Sequence, residues 1–444
     1  MTDLIVIQDS GHTARSGAYD HLVGHRGMRP AVRRAWNWLC WSLLRLLPAQ
    51  RHAVVHGWPD DEGNAVEVLR VLARRYGGKV YWLLADIGYG GPAHAAPELA
   101  DRRRIVRVRK NSFGSLRVAL SAEATFFTHG LFTAVEPPSN RLVVNLWHGD
   151  GPKVVPDIRQ IRSTVVVAGT ALWGESKARA LDLPPEAVAT VGHPRVDQFN
   201  SMPRTEVLAR LGLDQYRPTI LWLPTYRMAR APHDRTWCDA ADLSSSAAVA
   251  QFMEAISTAA EDFRLHVVVK PHPLDDDNYD FPGVPVLKQP QLDEAGVTFY
   301  QLLGVADAII SDVSSVWTDF LRLNRPIGFF IPDLVELERG RGLNVDNMAD
   351  LLPGPRLISS VDVRCFLETV ARNPDALRPS LYPGWTRIGA VQGDHVADRL
   401  LDWLDDFQRA RGRRPLFTRQ DERTRSGHRS ASRSHGDSAK ATVR

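Results

Sequence analysis

Short apolar runs separated by amphipathic stretches set the rhythm of this chain. HAVVHGW (52–58), KVYWLLA (79–85), RIVRVR (104–109), ATFFTHG (124–130), RLVVNLWHG (141–149), STVVVAG (163–169) and ATVGH (189–193) read as strands. Residues 64–76 place Ala65, Val68, Leu69 and Leu72 at helical spacing between the first two. Strands alternating with helices imply a mostly parallel sheet covered on both faces. After a helical linker, PRVDQFNSMPRTEVLARLGLDQYRP, a second series begins. It runs through TILWLPT (219–225), a helix over 246–260, LHVVVKPHP (265–273), VPVLK (284–288), a helix near 298–303, ADAIISD (306–312), a helix over 315–323 and PIGFFIPD (326–333). A closing helix over 393–409 carries Val396, Leu400, Leu401, Trp403 and Leu404 at helical spacing. The pattern predicts an uncommitted segment over 1–30, α/β domains over 31–200 and 201–390, a closing helix over 391–409 and a tail over 410–444. Two consecutive parallel-sheet domains leave a cleft at the carboxyl ends of their strands, where such sheets bind ligands.

No run of 18 uncharged apolar residues exists, so no spanning helix is expected. The nearest stretch is AVRRAWNWLCWSLLRLL (31–47), with Arg33, Arg34 and Arg45, three tryptophans and no acid. Cations and indoles around a short apolar body suit a helix lying in a membrane interface; a helix buried on the first domain fits equally well. The composition, 44% hydrophobic and 24% charged over 444 residues, excludes a fibre and a wholly disordered chain. Cys40, Cys238 and Cys365 are odd in number and far apart, which excludes a disulfide framework and a CxxC zinc site. The first residues lack a basic-then-apolar order, so no secretory signal is expected. The net charge of +4 hides an asymmetry: from Arg409 onward 11 Lys/Arg face 3 Asp/Glu, so the remainder is net negative. That tail lacks an apolar period and reads as disordered, with an anionic membrane surface rather than nucleic acid as its candidate partner.

Polar residues gather just after the expected strands, in NLWHGDGPK (145–153), VGHPR (191–195), LPTYR (223–227), KPHP (270–273), SDVSS (311–315) and RGLNVD (341–346). Neither a Walker loop nor a GxGxxG after the first strand is present, which disfavours ATP-dependent kinases and dinucleotide oxidoreductases. The histidines lack metal-ligand pairing, so no metal and no cofactor are expected. His148 follows a long apolar strand; a neutral imidazole there can take a proton from a hydroxyl nucleophile. Gly149 and Gly151 would let the backbone approach a ligand. Two prolines around Lys270 and His272 would fix those side chains toward the cleft. Ser311, Asp312, Ser314 and Ser315 close a strand and open a helix, where free N–H groups receive phosphate and a serine can simply cap. The residues by themselves reach a two-domain transferase acting on a phosphate-bearing donor.

In order and spacing, NLWHGDGPK, GHPRVD, PTYR, KPHP, SDVSSVWTDFLRLNRPIGFFIPDL and RGLNVDNMADLLPGP resemble the CDP-glycerol glycerophosphotransferase family of teichoic-acid synthesis. The resemblance covers about His52 to Trp403 and implies an α/β, GT-B-like fold of two Rossmann-like domains. It implies transfer of glycerol phosphate from CDP-glycerol, or a similar CDP-polyol, to a hydroxyl of a lipid-linked acceptor, with CMP released. It makes His148 the base and sets His272 near the donor. Thr225, Arg227, Lys270, Ser311, Asp312, Ser314, Ser315, Arg341 and Asp346 fall on the donor side, and Gly149, Asp150 and Lys153 on the acceptor side. A lipid-linked acceptor implies an enzyme on the inner face of the cell membrane, reached from the cytoplasm. The family's WHGTPLK is WHGDGPK here, which sets Asp150 beside His148 in sequence, where it could orient the imidazole or repel an anionic acceptor. Val313, Leu343 and Asn344 replace family aromatics, so CDP-ribitol stays open as donor. The competing expectations are a sugar-nucleotide glycosyltransferase of the same shape and a non-catalytic membrane binder.

Overall fold

The computed structural model describes residues 30–88, 99, 104–130, 135–153, 161–225, 247–272, 283–335, 343, 345 and 347–417. The first domain is a seven-stranded sheet of β1 (Gln50–His56), β2 (Lys79–Leu84), β3 (Ile105–Arg109), β4 (Ala122–Phe127), β5 (Leu142–Asn145), β6 (Val165–Ala168) and β7 (Val188–Thr190). Its spatial order is β3-β2-β1-β4-β5-β6-β7 with every pairing parallel. Strands buried on both faces need helices above and below. These are α1 (Pro30–Leu46), α2 (Gly63–Arg75), α3 (Phe113–Ser121) and α4 (Ala171–Leu181). A 3-10 turn (Pro194–Gln198) and α5 (Arg204–Arg210) lead into the second domain. There β8 (Thr219–Trp222), β9 (His266–Val269), β10 (Ala308–Ser311) and β11 (Ile327–Phe329) form a parallel sheet in the order β11-β10-β8-β9. Its helices are α6 (Ala247–Phe263), α7 (Gln289–Ala295), α8 (Phe299–Val305), α9 (Val316–Phe320), α10 (Ser360–Arg372) and α11 (Arg378–Ile388).

Strand order reverses between β1 and β4 in the first sheet and between β8 and β10 in the second. Those two reversals, at the carboxyl ends of the strands, are where the loops splay apart and leave a crevice. α12 (Val396–Ala410) then returns to the first domain, burying Leu400, Leu401 and Leu404 in the core that holds Val55, Leu69 and Phe126. The arrangement is GT-B-like.

Two expectations change, and two helices appear that the sequence pattern was not read to contain. VPVLK is not a strand; its pairing is a single bridge between Val269 and Val286. α10 and α11 carry apolar residues at helical spacing: Val363, Phe366, Leu367 and Val370 of α10 pack on Val249, Phe252 and Ile256 of α6. Pro383 inside α11 disguises that helix, because proline ordinarily interrupts one. The expected tail is part of the body as far as residue 417. Phe417 is fully buried against Tyr76 and Phe126, and Arg414 pairs with Glu123 at 2.6 Å. The Asp405 carboxylate accepts from the backbone N–H groups of Leu416 (2.6 Å) and Phe417 (2.9 Å). Two apolar residues cannot make a period, so their burial leaves no pattern in the sequence. The residues expected to be disordered beyond 417, and the segment over 1–29, lie outside the described residues.

Candidate active site

β5 ends at Asn145, whose Oδ1 accepts the backbone N–H of Trp147 (3.0 Å) and starts a tight turn. Trp147 takes a left-handed φ of 58°, which a side chain rarely adopts without support, and Gly149 follows at 145°. The support is polar. The buried Asn64 donates from Nδ2 to the Trp147 carbonyl (3.2 Å), and Arg195 Nη1 donates to the His148 carbonyl (2.7 Å). His148 keeps an exposed side, while its ring stacks on His129 with centroids 4.5 Å apart and on Trp147 at 4.9 Å. His129 follows β4, takes a 2.9 Å hydrogen bond between Nδ1 and Thr128 Oγ1, and meets Trp58 edge-on at 5.2 Å. The ends of β1, β4 and β5 thus converge where the strand order reverses.

Electrostatics fit a base. Surrounding protein withdraws much of the water from His148, and the Arg195 and Lys177 cations add positive potential, so its pKa lies well below the ordinary histidine value. The imidazole is therefore neutral at physiological pH, with a lone pair to accept a proton. Burial, with Arg195 and Lys110 nearby, pushes His129 down to about 3. Glu62, the N-cap of α2, goes the other way: burial outweighs Arg195 and raises its carboxyl to about 7.

Asp150 does not orient His148. Its carboxylate points away from the cleft into a buried cluster, accepting from the backbone N–H of Gly169 (2.8 Å), the Thr170 N–H (3.0 Å), His193 Nε2 (2.9 Å) and Lys177 Nζ. Against the cost of burial, Lys177 and His193 hold it well below the usual carboxylate range. It is 1% exposed, so it cannot repel an acceptor either. Its role is to fix the turn, and its own carbonyl receives Thr318 Oγ1 of the second domain at 3.0 Å.

The two glycines bring the turn against the second domain. A Cβ on Gly149 would lie 2.5 Å from Ser315 Oγ, and one on Gly151 would lie 3.1 Å from Ser315 Cα. Only glycine permits that approach. Lys153 forms an antiparallel bridge with Leu343, so the same loop also reaches the neighbour of the RG motif. On the second domain, Asp312 accepts from the backbone N–H of Thr225 (2.8 Å), from Thr225 Oγ1 and from the Ser314 N–H (2.9 Å). Thr225 and Asp312 therefore shape the loop after β8 and β10. Ser314 Oγ accepts the Val316 N–H at 3.4 Å, while Ser315, the N-cap residue of α9, makes no side-chain cap. α9 has only five residues, so the expected helix-terminus field is small and the loop's own N–H and hydroxyl groups carry more weight. Ser311 is fully buried with no partner for its hydroxyl. Lys270 is buried and folds back to donate to the Pro271 carbonyl (2.8 Å), whereas His272 is exposed. Arg227, Arg341 and Asp346 lie outside the described residues. No group of three or more His, Cys, Asp or Glu among the described residues could hold a metal ion.

Arg195, Asn64, His129 and Glu62 had no assigned role in the sequence reading. Arg195 stands in the VGHPR stretch, but its partners are 47 and 124 residues away in the chain, and no local pattern reports such pairs.

Residues 166–402 match the family described as CDP-Glycerol:Poly(glycerophosphate) glycerophosphotransferase. The teichoic acid glycerol-phosphate primase of Bacillus subtilis (strain 168) is 29% identical over 166 residues, 37% of this chain. That match spans 38% of the primase's length. A solved histidine variant of the wall teichoic acid polymerase TagF has a TM-score of 0.63 at 16% identity, covering 86% of this chain and 97% of its own. A second TagF variant, soaked with CDPG, has a TM-score of 0.63 at 14% identity and the same coverage. At these identities the TagF structures establish the two-domain fold.

Proposed function

The chain belongs to the CDP-glycerol:poly(glycerophosphate) glycerophosphotransferase family, and from that premise we propose that it moves glycerol phosphate, or a related polyol phosphate, from a CDP-linked donor to a hydroxyl of a lipid-linked acceptor. The acceptor oxygen bonds to the phosphorus that bears the polyol. The bond from that phosphorus to the CMP phosphate breaks, CMP leaves with the electron pair, and the hydroxyl proton passes to His148. The observation that carries this reading is the seating of the His148 turn on Ser315: the backbone at Gly149 and Gly151, on either side of Asp150, comes so close to the SDVSS loop that only glycine fits there. A turn carrying a base, set against a loop that would hold phosphate, suits phosphoryl transfer, in which the protein chiefly positions reactants and neutralises charge. In this reading the loop shaped by Ser311 and Asp312 presents Ser314 and Ser315 to the donor diphosphate, with His272, Lys270, Arg227, Arg341 and Asp346 assigned to the donor by their motifs.

The acceptor's lipid requires access to a membrane surface. Among the described residues no helix is long and apolar enough to cross a membrane. α1 offers another mode: Cys40 and Leu44 pack on Leu120 and Val135, while Trp38 (67% exposed), Trp41 and Leu46 (79%) face outward. Arg45 lies over the Trp41 ring at 4.5 Å, the pairing of cation and indole that suits a headgroup layer. Incubation with radiolabelled CDP-glycerol and a panel of lipid-linked sugars, following CMP, tests the reaction. We expect His148→Ala to lower turnover at least about a hundredfold with donor binding retained. Near-normal turnover would remove His148 from the mechanism.

A further inference from the structure

The turn that bears His148 is held by side chains from elsewhere in the chain, and one of them also belongs to the opposite domain's network. Arg195 makes three hydrogen bonds from its guanidinium to two partners. Nη1 donates to the His148 carbonyl (2.7 Å), while Nε and Nη2 donate to Asp319 Oδ2 (3.0 and 2.7 Å). Asp319 sits on α9, the helix that begins immediately after the SDVSS loop. Its carboxylate also accepts from Tyr300 Oη (2.6 Å), and the Tyr300 ring lies 4.9 Å from the guanidinium carbon. The backbone N–H of Arg195 donates to Asn64 Oδ1 (3.0 Å), and Asn64 in turn grips the Trp147 carbonyl. Both carbonyls flanking the base are thus fixed by one connected network, and a planar fork is the side chain suited to bridging a carboxylate and a carbonyl.

We infer that Arg195 is a positioning residue: it locks the His148 turn to α9 so that the base and the donor loop keep one mutual geometry. The inference rests on the transfer reading for its consequence in turnover, but the link itself is a property of the folded chain. A turn with a left-handed Trp147 does not hold its shape unaided. Arg195 is also a permanent cation beside the imidazole. The other charged or titrating groups that act on His148 are His129 after β4, Lys177 of α4 and His193 after β7. Of these, Lys177 and His193 share Asp150 as their counter-charge.

Removing Arg195 alone would leave Asp319 buried without its partner, so the informative variant neutralises both, Arg195→Met with Asp319→Asn. Its unfolding midpoint should stay close to the wild type. Its kcat should fall about a hundredfold, the scale on which a small misplacement of a reacting group acts. Its donor KM should remain within about threefold, because the donor loop is unchanged. The titration of the His148 ring, followed by NMR in full-length protein labelled at histidine and assigned with His148→Gln, should move up toward the ordinary histidine value. Arg195→Lys keeps the charge and loses the fork: kcat should fall while the ring's midpoint stays low. A folded double variant with kcat within about twofold of wild type, or with an unmoved His148 midpoint, would overturn the inference. Full activity in Arg195→Lys would overturn the role of the fork. If the wild type transfers nothing from CDP-glycerol, the functional reading fails, and the NMR titration still decides the link between Arg195 and His148.

Discussion

In the proposed transfer His148 is the base, which has to be unprotonated before its substrate arrives, and its surroundings favour that state. Because its pKa is depressed by withdrawal of water and by neighbouring positive groups, the acid limb of kcat/KM should have its midpoint below pH 6.5. A limb centred at or above 6.5 would mean that another group controls the rate. The same shift is a stability statement. A histidine depressed in the folded state binds fewer protons than in the unfolded chain, so its contribution is lost as pH falls below 6.5. Glu62 has the opposite sign. Its carboxyl, raised from 4.5 to about 7, binds more protons folded than unfolded, so its contribution declines as pH rises across that window. Denaturation of Glu62→Gln and wild type at about pH 5 and about pH 8 checks this: relative to wild type, the variant should gain stability at the higher pH. An equal difference at both would refute the shift.

Among the elements, α1 and the start of the tail allow the two modes of the proposed surface attachment to be separated. Apolar insertion by Trp38 and Trp41 is not screened by salt, whereas attraction of the basic residues beyond 417 is worth about 1 kcal/mol per cation and fades within a Debye length. Trp38→Ala with Trp41→Ala should reduce sedimentation with anionic vesicles at every salt concentration. A chain ending at Phe417 should lose only the salt-sensitive part. Ending at Arg409 instead would remove Phe417 from beside Tyr76 and Phe126, a loss of about 3–5 kcal/mol that would confuse binding with unfolding. If the chain ending at Phe417 sediments like the whole chain at all salt concentrations, the tail is no anchor. Most elements with a sustained apolar period were legible in the sequence, β1 through β7 among them, although α10, with Val363, Phe366, Leu367 and Val370 at helical spacing, went unread. α11 was not legible, because Pro383 breaks the local rule and the packing of Leu381 and Ile388 overrides it.

At the scale of the whole molecule, the chain passes from the first domain to the second and comes back. Asp197 accepts the backbone N–H groups of Val396 (2.8 Å) and Ala397 (2.9 Å), so the linker caps the returning helix. Arg75 of α2 then binds Asp398 and Asp402 on α12. The last helix is therefore part of the first domain's core. Leu404→Ala should destabilise that domain by about 2–5 kcal/mol, read by urea denaturation, although the residue lies over two hundred positions beyond β7. A cost below about 1 kcal/mol would show α12 to be peripheral.

Alternation of strands and helices, the two-domain division and the places where polar residues end strands were determined by the sequence alone, because period and turn chemistry are local properties. The WHG, KPHP and SDVSS positions could be listed from it for the same reason. Only the tertiary structure decided what those residues touch. Asp150 is the sequence neighbour of His148's glycine, yet its carboxylate serves Lys177 and His193, because the left-handed turn at Trp147 and the open angle at Gly149 send successive side chains in different directions. Arg195 reaches His148 and Asp319 because two separate sheets bring their strand ends together. A pairing across 47 or 124 residues is set by chain crossing and burial, which no window along the sequence contains.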